Sequence, residues 1–209
     1  MDGVWFGDKH SYRYYRMILN QVSIGYPAVK TKYVDKPSGN GTYDLTEFFG
    51  GTKYSDRTLA FQFTVVGKWA RTHEKITNDL HGKKMSITLD RMPDYYFVGR
   101  CSVDALDTDR NICKIMISAV CDPFKYKKQE TEYFALIHGA KNVILINDFM
   151  EVLPVIQSDA NFVLSMDGRN YQVREGKQKL LDFKLAQGYN RVKITGEGNI
   201  RFTYREGAV

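Results

Sequence analysis

At 209 residues, 43% of them hydrophobic and including 14 Tyr and 12 Phe, the chain can build two small cores, which excludes a disordered or fibrous protein. The net charge of +6 is modest and no Lys/Arg run exceeds two residues, so it reads as a solvated surface and not as a specific nucleic-acid footprint. The longest apolar runs are a few residues, and no signal-type apolar segment opens the chain. The expectation is a protein made in the cytoplasm, without membrane insertion.

Residues 4 to 24 offer two strand-like pieces, Val4-Trp5-Phe6-Gly7 and Met17-Ile18-Leu19, around the polar stretch Asp8 to Arg16. Tyr12, Arg13, Tyr14, Tyr15 and Arg16 in that stretch combine aromatic rings with guanidinium groups. Such a set suits a protein interface better than sugar stacking, because no acceptor side chains are grouped with it. From Tyr26 to Leu45 the chain is thinly apolar. Its middle, Asp35-Lys36-Pro37-Ser38-Gly39-Asn40-Gly41-Thr42, is dense in turn formers. With extended flanks at Ala28–Val34 and Thr42–Leu45, residues 26–46 predict a long hairpin projecting from the domain. Two strands bury too little surface to be stable alone, so this hairpin needs a partner to lie on. The residues expected at that contact are Val29, Lys30, Lys32, Tyr33, Val34, Thr42 and Tyr43.

After the turn signal Phe49-Gly50-Gly51-Thr52 comes the clearest pattern of the chain. Leu59, Phe61, Phe63 and Val65 alternate with Thr58, Ala60, Gln62 and Thr64, the period of a half-buried strand. Trp69, His73, Ile76 and Leu80 then recur at helical spacing, which predicts a helix over 71–81 with Thr72 as N-cap, Gly82 as stop and His73 packed on the apolar stripe. Three strands follow, marked by Met85/Ile87/Leu89, by Tyr95/Phe97/Gly99/Cys101/Val103 and by Cys113/Ile115/Ile117/Ala119.

Asp122-Pro123 and the polar run to Glu130 break this pattern. The expected organisation is therefore a β domain over 1–124, a linker over 125–130 and a second domain over 131–209. In the second domain, Val143–Ile146, Val155-Ile156, Phe162/Leu164/Met166, Tyr171/Val173 and Leu181/Phe183/Leu185 read as short strands. Val192/Ile194 and Ile200/Phe202/Tyr204 complete the set, with turns at Asp167-Gly168, Gln187–Asn190 and Gly196–Asn199. Short strands with a turn about every ten residues indicate a sandwich, so the fold class is mainly β: antiparallel sheets, one helix and a projecting hairpin.

No residue set announces catalysis. There is no nucleophile elbow, P-loop, dinucleotide fingerprint or His-Glu-x-x-His. Cys101, Cys113 and Cys121 form no Cys-x-x-Cys pair, and His10, His73, His81 and His138 are scattered, so neither metal nor cofactor is expected. Two readings stay open: a structural assembly protein, and a carbohydrate-binding sandwich protein.

The order of five short stretches resembles the distal tail proteins of long-tailed bacteriophages, prophages and tailocins. These stretches are Gly39–Thr46, Tyr54–Phe63, Ile76–Lys83, Asp94–Arg100 and Cys121–Phe124. Leu185–Val192, Gly196 and Ile200–Arg205 are similar to the closing strands of that family. The resemblance implies a non-enzymatic virion protein of the tail tip or baseplate hub, forming a homo-hexameric ring. Such a ring connects the tail tube protein to the tail-associated and receptor-binding proteins. The hairpin at 26–46 would then belt around a neighbouring copy, and the second domain would be a galectin-like β-sandwich. This sequence departs from the family in one respect: its second domain is short, with no insertion large enough for a separate sugar-binding module, which counts against direct host-glycan binding.

Overall fold

The structure is a computed structural model that describes residues 2–48, 50–67 and 69–209, with only the backbone described at Ala105. The chain divides into two compact units, Met1–Lys125 with Val209, and Tyr126–Ala208. Phe49 of the turn expected at 49–52 lies outside the described residues.

In chain order the first unit contains β1 (Val4–Phe6), β2 (Lys9–His10), α1 (Ser11–Tyr15), β3 (Ile18–Ile24), β4 (Tyr33–Asp35) and β5 (Thr42–Asp44). β6 (Arg57–Val66), α2 (Trp69–Leu80), β7 (Lys84–Leu89), β8 (Tyr95–Asp109) and β9 (Ile112–Cys121) complete it. Seven strands run β2-β1-β7-β8-β9-β6-β3 in one antiparallel sheet. β4 and β5 pair only with each other.

β6 lies between β3 and β9, and its alternation decides which face is inside. Leu59, Phe61, Phe63 and Val65 are buried, as are Cys113, Ile115, Ile117 and Ala119 on β9. Ile76 and Leu80 of α2 join the same cluster, and Phe6 packs edge-on to Phe61 at 5.6 Å and to Phe63 at 6.2 Å. Each fully buried side chain of this size contributes about 1.5–3 kcal/mol relative to exposure. Gly99 of β8 lies so close to β9 that a Cβ would stand 2.3 Å from Cys121 Sγ. The three thiols are buried and unpaired, and burial pushes the Cys101 and Cys121 thiols up to about 12, so both stay protonated.

Two details of this unit differ from the sequence reading. The polar stretch after β1 folds into α1, a five-residue helix. α2 begins at Trp69, two residues earlier than expected, so Thr72 lies inside its first turn and is not its N-cap. Gly82 does follow the helix with positive φ, and the half-buried His73 places Nε2 3.5 Å from Thr77 Oγ1.

β10 (Lys125–Lys127) lies in the stretch expected as a linker and spans the boundary between the units in sequence; the second unit then contains β11 (Thr131–Asn147), β12 (Val155–Ser158), β13 (Phe162–Met166) and β14 (Arg169–Val173). β15 (Gly176–Lys179), β16 (Gly188–Tyr204) and β17 (Gly207–Ala208) follow. β16 is the spine. β11 pairs with it in unbroken register from Thr131↔Tyr204 to Asn147↔Gly188. Its other edge takes β13 between Lys193 and Gly196, then β12 between Ile200 and Thr203. Both halves of this ribbon feed one core: Ala135, Ile137, Val143 and Leu145 of β11 cluster with Val192, Ile194, Ile200 and Phe202 of β16. Seventeen residues would span ~56 Å if straight, at about 3.3 Å each, so the ribbon must bend to enclose that core.

The bend explains a second correction. Gly196–Asn199, read as a turn, is part of continuous β16, and its glycines serve close approach. A Cβ on Gly196 would meet Phe162 Cδ1 at 2.5 Å, and one on Gly198 would meet Asp159 Oδ1 at 2.4 Å. Leu181–Leu185 is likewise no strand: Leu181 is exposed, and only Leu185 makes a bridge, to Val152. Phe183 and Leu185 are nevertheless fully buried, filling the core from an irregular segment.

Candidate assembly surfaces

The hairpin β4–β5 pairs Tyr33 with Asp44, Val34 with Tyr43 and Asp35 with Thr42. Opposite residues share a face, so Val34 and Tyr43 stand on one side and Tyr33 on the other. All six strand residues are exposed, with Tyr33 at 57%, Val34 at 44% and Tyr43 at 54%. Among the described residues, both faces of the hairpin are thus largely open to solvent. Of the seven residues expected at a contact, Tyr33, Val34, Thr42 and Tyr43 lie on the paired strands. Val29, Lys30 and Lys32 lie on the arm that leads into them, and all three are exposed as well.

The root of the hairpin, unlike its tip, is tied down by main-chain bonds. Val29 bridges to Tyr54, Lys30 N donates to Lys53 O at 2.8 Å, and Ser55 N donates to Ala28 O at 2.9 Å. Leu45 N donates to Lys32 O, and Lys32 N donates to Thr46 Oγ1 at 3.1 Å. Asp44 accepts from Thr46 N, and hydrogen bonding from Thr46 holds its carboxyl below the ordinary range. At the tip, Lys36 N donates to Gly41 O, where Gly41 has a φ of 85°. The result is an arm of fixed direction and uncovered surface.

At the hairpin's start Arg57 is 3% exposed, donates from Nε to Gly25 O at 2.9 Å and has its guanidinium carbon 5.3 Å from the Phe97 ring centre. Its charge lies 5.8 Å from the ring centre of Tyr26, which is itself 84% exposed. Burial lowers the Arg57 pKa, and among the described residues its Nη1 has no hydrogen-bond partner. We read it as the fastener that holds the Gly25–Tyr26 corner against the sheet.

Of the cluster at residues 12–16 only Tyr15 is turned into the core; Tyr12 is half-buried, and Arg13, Tyr14 and Arg16 are exposed. Tyr15 is buried and its hydroxyl donates to Asp79 of α2 at 3.0 Å, while burial and that carboxylate push its pKa well up. Lys9 pairs with the same Asp79 at 2.8 Å, and Lys75 stands 3.7 Å from the ring centre of Tyr14. Sequence reasoning missed what starts α1. His10 Nδ1 accepts from the main-chain N–H of Tyr12 and Arg13, and its Nε2 lies 2.9 Å from Asp90 Oδ2. Accepting at Nδ1 leaves Nε2 as the donor, so Asp90 selects the tautomer that can cap. Histidine is not among the usual capping residues, so neither spacing nor composition signals it.

In the second unit, β11 and β16 present an outer face as well as a core face. Phe134, Leu136, Ile144, Ile146 and Tyr189 stand on it exposed, beside Arg201, Lys193 and Arg191 of β16. The unit's closing corner is held by Glu206, 3% exposed, which accepts from Thr131 Oγ1 and Asp148 N and pairs with Lys127 at 3.2 Å. Among the described residues no group of three His, Cys, Asp or Glu side chains could hold a metal ion. No helix among them is long and apolar enough to cross a membrane.

No protein-family model matches the sequence, and no curated protein matches it. Among solved structures, the chain is similar to Dit (gp 19.1) of phage SPP1, described as a paradigm of the hub adsorption apparatus in phages that infect Gram-positive bacteria. The two share a fold over 100% of both chains with a TM-score of 0.73, at 16% sequence identity. A conserved protein of unknown function from Pseudomonas aeruginosa PAO1 aligns over 90% of this chain and 99% of its own at 10% identity, with a TM-score of 0.28.

Proposed function

We propose that this chain, which shares its fold over its full length with the SPP1 hub protein, is a structural distal tail protein of a phage tail or tail-derived particle. In this reading six copies close into a ring at the tail tip. The ring joins the tail tube to the adsorption proteins and carries no catalytic step of its own. We assign ring formation to the first unit and a galectin-like sandwich to the second.

The observation that carries the reading is the hairpin β4–β5, uncovered on both faces yet rooted by main-chain bonds. An arm of this kind gains stability only from a surface outside its own core, and a ring supplies that surface once per copy. Val29, Lys30, Lys32, Tyr33, Val34, Thr42 and Tyr43 are the contact residues in this scheme.

Size-exclusion chromatography with light scattering tests it. The expected mass is near six times 24.1 kDa. Deleting Val29 to Tyr43 should leave a folded protein that no longer assembles. A parent chain that stays monomeric at all concentrations overturns the ring, and full-size rings from the deletion variant overturn the arm as its fastener.

A further inference from the structure

The second unit contains a depression of about 520 Å³ on the outer face of the β11–β16 ribbon, roofed at one side by the β13–β14 turn. Its walls include Asn142 and Ile144 of β11, Arg191 and Lys193 of β16, Ser165 of β13 and Asp167 of the turn. Register explains why they converge. Asn142 lies opposite Lys193, and Lys193 lies opposite Ser165 on the next strand, so the three form one row across the sheet. Ile144 lies opposite Arg191 in the neighbouring row. Val192 and Ile194 are buried, so Arg191 and Lys193 both face outward, into the depression.

Two cations side by side on one strand face repel each other, and four other cations of this unit are answered by carboxylates. Lys127 pairs with Asp148 and Glu206, Lys184 with Glu151, Arg201 with Glu132 and Arg205 with Glu130. Among the described residues neither Arg191 nor Lys193 has a carboxylate within 4.0 Å, although Asp167 stands at the rim. The site is thus one excess positive charge surrounded by hydrogen-bonding groups of both kinds. Asn142 offers a carbonyl oxygen and an amide, Asp167 offers a carboxylate, and Ser165 offers a hydroxyl that donates to Asn170 Oδ1 at 2.6 Å. Ile144, half exposed, supplies an apolar wall.

We propose that this depression binds a sugar phosphate or polyol phosphate. Arg191 and Lys193 take the phosphate oxygens, the guanidinium through paired donors and the ammonium as a point charge. Asp167 and Asn142 accept hydrogen bonds from the ligand's hydroxyls, and Ile144 packs against its carbon skeleton. A bare phosphate leaves the carboxylate of Asp167 without a hydroxyl to receive, and a neutral sugar leaves both cations unanswered. The match is therefore to an anion that also bears hydroxyls. This inference concerns the second unit alone and does not depend on ring formation.

Isothermal titration calorimetry on the full chain at ~0.05 M salt, where surface charge is weakly screened, tests it with glycerol 1-phosphate, inorganic phosphate and glycerol as probes. Arg191→Gln, Lys193→Gln and the control Lys177→Gln each remove one exposed positive charge. Thermal melts confirm that each variant is folded. Glycerol 1-phosphate should bind best, weaken about tenfold or more in Arg191→Gln and in Lys193→Gln, and be unchanged in Lys177→Gln. Equal weakening by all three substitutions would mean diffuse charge attraction and overturn the site. Equal binding of inorganic phosphate and glycerol 1-phosphate would overturn the ligand class. Absence of heat with any phosphate overturns both.

Discussion

β4 with β5 and β11 with β16 are both antiparallel strand pairs, yet one has six residues exposed on both faces and the other, whose β16 also pairs with β12 and β13, carries a core. Their main-chain ladders obey the same geometry, so hydrogen bonding does not distinguish them. What differs is burial. Ala135, Ile137, Val143 and Leu145 on β11 face Val192, Ile194, Ile200 and Phe202 on β16, whereas Val34 and Tyr43 of the hairpin face solvent. An intramolecular hydrogen bond adds only about 0.5–1.5 kcal/mol net, because water competes for both partners, while a buried Leu, Ile or Phe adds about 1.5–3 kcal/mol. A ribbon is thus a scaffold of the fold when one face is dry and a site for something else when both are wet.

The comparison predicts a graded series of mutants. Phe202→Ala empties a fully buried position beside Phe183 and Tyr133 and should destabilise the protein by about 3–5 kcal/mol in urea melts. Phe61→Ala, the corresponding change under the first unit's sheet, falls in the same range of about 3–5 kcal/mol. A loss below about 1 kcal/mol at either site would contradict its place in the core. Next in size is Gly196→Val, at a φ of 152° with Phe162 Cδ1 where the Cβ must go. Strain and displaced packing should cost about 1–3 kcal/mol, again read from urea melts, and a neutral result would show that the ribbon does not need its bend there.

How far the sequence reached follows the same division. β6 was legible because Leu59, Phe61, Phe63 and Val65 alternate with polar or small residues, so local pattern and tertiary burial agree. β11 was read only as a short apolar strand at Val143–Ile146. All four residues there are apolar, which hides that Val143 and Leu145 point inward and Ile144 and Ile146 outward. Gly196 and Gly198 look like turn residues to any local rule. Their actual reason, the approach of Phe162 and Asp159, comes from strands distant in sequence. α1 escaped because five residues are too few for periodicity and its cap is His10. The hairpin's exposed tip was readable from its turn chemistry. The row of Asn142, Lys193 and Ser165 was not, since it exists only once register sets three strands side by side.

The α1 cap supplies a smaller, pH-dependent effect. Burial raises the Asp90 carboxyl, but hydrogen bonds from His10 and Trp5, aided by the nearby charge of Arg13, outweigh it and hold the pKa below the ordinary value. A carboxyl whose folded pKa lies below its unfolded value stabilises fully above the unfolded value, near ~3.9 for Asp. That stability is lost as pH falls through the folded pKa. Asp90→Asn should therefore lower stability by about 1 kcal/mol at neutral pH, and the gap to the parent should shrink toward pH ~3. An equal gap at both pH values would assign the loss to packing and not to the carboxylate.

The smallest expected effect on the single chain is the most informative about the hairpin. Tyr43 and Val34 oppose each other on one exposed face and belong to neither core cluster, so replacing both with Ser empties no core position. The stability of the isolated chain, measured at dilution where it does not assemble, should stay within about 0.5 kcal/mol of the parent, as for other surface substitutions. Assembly should respond differently. If the face made by Val34 and Tyr43 lies against a neighbouring copy, the two substitutions remove an aromatic anchor and an aliphatic one from every contact of the ring. Truncating anchors of that kind can cost 2 kcal/mol or more per interface, and a closed ring multiplies the loss by the number of its contacts. The light-scattering mass should then collapse toward one chain while the urea midpoint of the monomer stays fixed. A variant that keeps its full mass would place the partner on the opposite face, with Tyr33. One whose monomer is destabilised instead would mean that the hairpin is covered by its own chain.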